Sequence, residues 1–369
     1  MKQYKTATMS GKKVACSCFI VPAYMLEKQI LEGSREQKKA AVYNLKLSQM
    51  LRGTRMANSR VRTLAAASHQ TKRRVIYDME HSGNELELPG KPVRYEGGKD
   101  TGDSSADEVY NNTGLTWDFY NTEFGRNSIN DQGMTLVSSV DFGDKWDNAM
   151  WNGTQMVYGD GGGGFIKEGT LTVIDVTAHE LQHGVTQYST PQGLEYQGQS
   201  GGLNESWSDC FGIMCKQWVN KQKVDESNWL IGEGLMLQGQ ALRSMKDPGT
   251  ANPFDGQITK ASDYQDNMDP HISSGPPNKA FYLACKKAGG FSWDKIGKVW
   301  YLTMPRLPQN ATYQMAADNT FDIAGSLFGD GSAEQIAVSE AWHEVGVEAK
   351  KPDVTVLFAG MAKKITKSN

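Results

Sequence analysis

Nothing in the 369-residue chain is both long and apolar enough to cross a bilayer, for no run of about 18 uncharged apolar residues occurs. A conventional secretory leader is equally hard to find. Residues 1–13 are polar and lysine-bearing, and the weakly apolar stretch 14–23 behind them is interrupted by Pro22. The expected compartment is the cytoplasm, or the exterior reached by a non-conventional route. Cysteine is scarce. Cys16, Cys18, Cys210, Cys215 and Cys285 form an odd, scattered set that argues against a disulfide framework. Net charge is small as well: 39 Lys and Arg against 42 Asp and Glu give −3, which removes the reason to expect nucleic acid or an anionic membrane as partner.

What is present reads as a globular chain with a mean hydropathy of −0.53. Residues 19–53 carry Met25, Leu26, Ile30 and Leu31, then Leu45, Leu47 and Leu51, at helical spacing. From Arg52 to Arg74 the composition turns basic and small, which predicts an exposed linker open to proteolysis. Short strands are predicted at 74–77, 93–95, 134–140 and 155–158, separated by Gly, Asn and Asp clusters. The run 159–164, Gly-Asp-Gly-Gly-Gly-Gly, lacks a following Lys-Ser/Thr and reads as a turn, not a phosphate loop. Beyond Leu171 helices are predicted. Ile174, Ala178, Leu181 and Val185 form one apolar stripe, and Trp207, Phe211, Met214 and Trp218 form the next. Residues 281–287 and 333–347 are further helix candidates. The expected division is residues 1–70 as N-terminal segment and linker, 71–190 as a β-rich lobe, 191–347 as a helical lobe and 348–369 as a tail.

The chemistry is concentrated in His179-Glu180-Leu181-Gln182-His183. Four residues make about one helical turn, so both imidazoles leave one face and can share a metal ion. Glu180 sits one position around, within reach of a metal-bound water without ligating the metal. On the following helix Glu205 and Asp209 are again four apart on one face. Glu205 supplies a third ligand and leaves the fourth position open, as catalytic zinc requires. Asp209 can accept the spare N–H of a ligand histidine, and Asn204 joins it in that supporting role.

Across both helices the text, Val173–Tyr188 followed by Gly193–Asp209, resembles the thermolysin family of zinc metalloproteases. The blocks 147–161, 241–248, 266–284 and 337–347 resemble that family too, so the likeness covers roughly residues 74–347. It implies an α+β fold: a β-rich N-terminal lobe and an α-helical C-terminal lobe with the active-site cleft between them. It also implies an endopeptidase. His179, His183 and Glu205 would ligate one zinc ion, and Glu180 would be the general base. Tyr196 and His271 would stabilise the oxyanion, with Asp266 orienting His271. Asn148 and the carbonyl of Ala149 would bind the substrate main chain, and Arg243 would hold the carbonyl after the scissile bond. Val176, Ile231 and Leu242 would line the pocket that selects Leu, Phe, Ile or Val after the cut. His69, His81 and His343 receive no role.

Three departures from the family pattern bear on expectation. Asp175 and Glu233 match calcium-binding positions, but Lys216 stands where a glutamate is common, and Asn228 and Leu230 replace acidic residues, so one calcium at most is expected. Pro191-Gln192 looks like an insertion between the two zinc helices. The N-terminal segment resembles the short propeptide of the protealysin-like subgroup, although Pro22-Ala23 keeps one of its two prolines. By that likeness Val21, Pro22, Ala23 and Tyr24 would fill the cleft until a cut between about Arg60 and Arg74 releases the enzyme. A sharper variant has Cys16 or Cys18 ligating the zinc. The rival readings are an aminopeptidase on the same metal site and a non-catalytic peptide binder. Retention of Glu180, Tyr196 and His271 argues against the second, because a structural site needs no base and no oxyanion donor.

Overall fold

The computed structural model describes residues 19–58, 71–190 and 193–350. Cys16, Cys18, most of the expected linker, Pro191-Gln192 and the tail from 351 lie outside the described residues. Helix α1, Ala23–Glu32, starts where it does because Pro22 at its N-cap has a φ already suited to entering a helix and no N–H to leave unpaired. Helix α2, Arg35–Asn58, follows. It runs through the first residues expected to be linker, and Arg55 is buried on it.

A five-stranded sheet comes next, built from β1 (Arg74–Asp78), β2 (Lys91–Tyr95), β3 (Leu136–Val140), β4 (Ala149–Trp151) and β5 (Met156–Tyr158), in the order β2-β1-β3-β5-β4. β1–β3 and β3–β5 pair in parallel, while β2 and β4 run antiparallel at the two edges. Strand β4 therefore presents one row of backbone groups that no other strand uses. Helix α3, Ser104–Phe124, packs on this sheet and went unread in the sequence. Its apolar spacing is diluted by buried Asn112, Thr113 and Thr116, yet its ends are marked: Asp103 accepts from the Ala106 N–H at the start, and Gly125 closes it in the left-handed region.

Helix α4 (Ile174–Ser189) follows the sheet, and the rest of the chain is mainly helical: α5 (Gly198–Val219), α6 (Pro270–Ser273), α7 (Gly275–Ala288), α8 (Ile296–Thr303), α9 (Tyr313–Phe328) and α10 (Ala333–Glu344). A two-stranded ribbon, β6 (Leu230–Ile231) with β7 (Arg243–Ser244), stands beside it. The core centres on α5, which is buried along nearly its whole length although it carries Asn204, Glu205, Ser208 and Asp209. Burying that much polarity is tolerable only if each group is paired, so α5 has to lie close to its partners. Two glycines permit this. A Cβ on Gly212 would stand 2.8 Å from the Asp175 carbonyl of α4, and one on Gly202 would stand 2.7 Å from Ser273 Oγ of α6.

Gly212→Val is accordingly expected to push α4 and α5 apart. The loss should be about 1–3 kcal/mol of stability, read as a lowered denaturation midpoint, together with weaker metal retention on dialysis.

Candidate active site

Helices α4 and α5 bring together the groups that the sequence placed on their facing sides. His179 Nε2 and His183 Nε2 lie 3.2 Å apart. The Glu205 carboxylate oxygens stand 3.4 Å from the first and 3.5 Å from the second. All three side chains are fully buried. A tetrahedral zinc ion with ligands at 2.0–2.1 Å separates its donors by about 3.3 Å, so the spacing matches. Protonation agrees: His179 Nδ1 is 2.8 Å from Asp209 Oδ1, and His183 Nδ1 is 2.9 Å from Asn204 Oδ1. With the Nδ1 proton committed to those acceptors, both Nε2 lone pairs point at one another's territory. That crowding suits a shared cation. The donor set fits zinc.

Glu180 is fully buried beside this centre. Its Oε2 accepts the Trp151 N–H at 2.9 Å, while Oε1 has no hydrogen-bond partner among the described residues. Burial pushes its pKa up to about 7, with the charge of Glu205 adding to the rise and His179 and the Trp151 N–H opposing it. A carboxyl poised near neutrality with a free oxygen suits a base that takes a proton from water and returns it.

Asp209 does more than orient His179. It also accepts from Arg243 Nε and Nη2, both at 2.9 Å, and from Asn278 Nδ2 at 2.8 Å. Burial works against its ionisation, but the guanidinium and the histidine outweigh it and hold the carboxyl well below the usual range. Tyr196 OH donates to Glu205 Oε1 and lies 3.4 Å from His271 Nε2. Val176, Ile231 and Leu242 are wholly buried in the principal apolar cluster.

The short non-helical segment ahead of α1, bent at Ile20 and Val21, runs through the site. His271 Nε2 lies 2.8 Å from the Phe19 carbonyl oxygen, the Ile20 N–H donates to Ala149 O at 3.2 Å, and Arg243 Nη1 donates to Ile20 O at 3.1 Å. Asn148 grips Val21 twice, accepting its N–H at 2.9 Å and donating to its carbonyl at 3.0 Å. The segment against Asn148, Ala149 and Arg243 is thus Phe19–Val21, not Val21–Tyr24. The reason is Pro22: the helix begins behind it, so main-chain groups not committed to a helix are available only ahead of it. Ala23 and Tyr24 belong to α1, and the Tyr24 hydroxyl accepts from the Gly256 N–H at 3.4 Å.

Comparison with known proteins agrees with this geometry. Residues 35–187 match the model of the thermolysin metallopeptidase catalytic domain, and residues 192–347 match that of its α-helical domain. An extracellular metalloprotease of Pectobacterium carotovorum is 39% identical over 90% of this chain and 97% of its own length. Protease PrtS of Photorhabdus is 38% identical over 90% of this chain and 93% of its own. The solved precursor of protealysin, a metalloproteinase from Serratia proteamaculans, superposes with a TM-score of 0.79 at 40% identity, covering 90% of this chain and all of that one. The chain belongs to the thermolysin family of metallopeptidases. It is a metalloendopeptidase with the protealysin-like short propeptide, and residues ahead of the catalytic body are those of a precursor.

Within this thermolysin-family frame one expected pairing is corrected. His271 Nδ1 lies 2.8 Å from Asp269 Oδ1, and the same oxygen accepts the His271 backbone N–H at 2.9 Å. Asp269 is the N-cap of α6, which turns its carboxylate back over the first helical turn. Asp266 is exposed and interacts with Tyr264 instead. The Asp-Pro-His order held the signal: a capping residue before a proline at N1 marks a helix start. Asn278 and Arg55 were also missed. The Arg55 guanidinium of α2 donates to the Trp151 carbonyl of β4, and no local pattern foretells a contact across 96 residues. At the expected calcium positions, Lys216 Nζ lies 3.2 Å from Asp175 Oδ2, 3.6 Å from Glu233 Oε2 and 3.2 Å from the Leu230 carbonyl.

Asp269→Asn should lower kcat on a blocked peptide by about 10- to 100-fold, less than loss of a whole oxyanion donor. Asp266→Asn should leave kcat unchanged.

Proposed function

We propose that the chain is a latent zinc endopeptidase that cuts ahead of Leu, Phe, Ile or Val and is held inactive by its own N-terminal segment. One observation carries the reading: the donor set at His179, His183 and Glu205 adjoins groups that already hydrogen-bond the main chain of a peptide segment. Zinc, when bound by these three side chains, would acidify a water and polarise the peptide carbonyl. The remaining work falls to the protein. Glu180 accepts the proton of the water at its unpartnered oxygen and passes it to the departing nitrogen. His271 and Tyr196 meet the carbonyl oxygen as it gains charge. Arg243, Asn148 and the Ala149 carbonyl hold the main chain of the two residues on the carboxyl side of the bond. Val176, Ile231 and Leu242 supply an apolar seat whose selectivity is broad, since one methylene discriminates by only about 1–3 kcal/mol.

Latency is supported by the seating of Phe19–Val21 and by the Arg55 contact with β4. Release is proposed to follow a cut in the basic stretch between about Arg60 and Arg74. The Lys216 ammonium takes the place of a calcium ion between Asp175 and Glu233, so added calcium should leave the melting temperature unchanged. The name of the Pectobacterium relative supports export of this enzyme.

The full chain loaded with zinc should be inert on casein and on a doubly blocked peptide until limited trypsin treatment, then active, then silenced by a chelator. Glu180→Gln should keep its metal but lose about 10²–10⁴-fold in kcat, whereas Glu205→Ala should lose the metal itself. A trypsin-treated, zinc-loaded chain that cuts neither substrate would end the proposal.

A further inference from the structure

The N-terminal segment lies in the cleft with the polarity of a substrate, and this has a chemical consequence. Every main-chain polar group from the Phe19 carbonyl to the Val21 carbonyl has a partner: His271 for Phe19 O, Ala149 O for Ile20 N–H, Arg243 for Ile20 O, and the two ends of the Asn148 amide for Val21. The group facing the His271–Tyr196–Glu205 centre is therefore the Phe19 carbonyl, since His271 Nε2 is also 3.2 Å from Glu205 Oε2. The side chains agree. Ile20 is fully buried in the apolar cluster that holds Val176, Ile231 and Leu242. Phe19 is buried in a second cluster with Leu47 and Leu51 of α2 and Phe142, Trp146 and Met150 of the body, its ring edge-on to Trp146 at 6.2 Å.

We infer that the Phe19–Ile20 peptide bond is a scissile bond of this protein, cut by its own active site in the same molecule. The inference rests on the endopeptidase reading above and names its first substrate. One water is consumed. Its oxygen joins the Phe19 carbonyl carbon, the Phe19–Ile20 C–N bond breaks, and both protons of the water, the first carried by Glu180, end on the Ile20 nitrogen, leaving a carboxylate on Phe19 and an ammonium group on Ile20. The cut does not by itself empty the cleft. Residues from Ile20 onward stay tethered through α1 and α2, which hold the body by Gln29 Nε2 to Gly164 O at 2.8 Å, Lys28 Nζ to Pro253 O at 2.8 Å and Trp146 Nε1 to Ser48 Oγ at 3.2 Å. The product is a nicked but still inhibited form, and separation of the plug waits on the linker.

The test takes the purified full chain free of metal, adds zinc, and follows intact mass and N-terminal sequence with time across a wide dilution series. A new N-terminus at Ile20, formed with a rate constant that dilution does not change, is the expected result. Glu180→Gln should slow it by about 10²-fold or more, and Ile20→Asp should abolish that cut because a carboxylate cannot enter the apolar seat. A second readout needs no metal: hydrogen exchange of the metal-free full chain should find the Ile20 and Val21 amides protected, and Asn148→Ala should release the Val21 amide. An intact Phe19–Ile20 bond in zinc-loaded chain whose trypsin-activated form digests casein would overturn the inference and leave the endopeptidase reading standing. So would a cutting rate that rises with concentration, or freely exchanging Ile20 and Val21 amides. Failure of casein digestion as well would instead condemn the reading beneath it.

Discussion

A single buried carboxylate, Asp209, holds two halves of the active site to one another. It accepts from the ligand imidazole of His179, from two nitrogens of Arg243 and from Asn278. An anion in that position is tolerable only because four donors surround it, and removal of any one leaves charge stranded in a medium of low polarity. The metal-facing ring and the peptide-gripping guanidinium are thereby placed by the same group. Their separation, which decides where a carbonyl falls relative to the metal, is set by one side chain on α5.

Around that anchor the approach of the helices is a matter of small residues. Gly212 admits α4 and Gly202 admits α6, so that His179, His183 and His271 all come within 3.5 Å of the Glu205 carboxylate. The polar face of α5 is satisfied as a consequence, and the cost of burying it is offset by pairing. The same economy explains Lys216. An ammonium group among two carboxylates and a carbonyl balances their charge from within the chain.

The outer edge of β4 links architecture to the proposed latency. An unpaired strand edge invites another strand, and here the invitation is answered from within the chain: Ile20 donates to the Ala149 carbonyl and Arg55 donates to that of Trp151. The binding groups of the cleft recognise extended backbone of any origin. A segment tethered nearby therefore occupies them at an effective concentration no free peptide matches. The helices α1 and α2 supply the tether, and the helix start behind Pro22 decides which three residues remain outside α1.

Residue spacing alone determined the heart of this protein. His179 and His183 one turn apart, with Glu205 and Asp209 one turn apart on the next helix, specify a metal site because helical geometry turns spacing into facing. The order of strands before helices and the apolar stripes of α4 and α5 were legible for the same reason. Local spacing could not reveal α3, whose buried face is largely polar, nor the extension of α2 to Arg55, whose reward is a carbonyl far along the chain. The family resemblance placed the orienting carboxylate at Asp266, and the fold puts Asp269 there instead, because a capping position aims the side chain. The register of Phe19–Val21 in the cleft was likewise decided by tertiary structure: hydrogen bonds to Asn148 with Ala149, to Arg243 and to His271 come from three separate parts of the chain, and only folding brings them to one line.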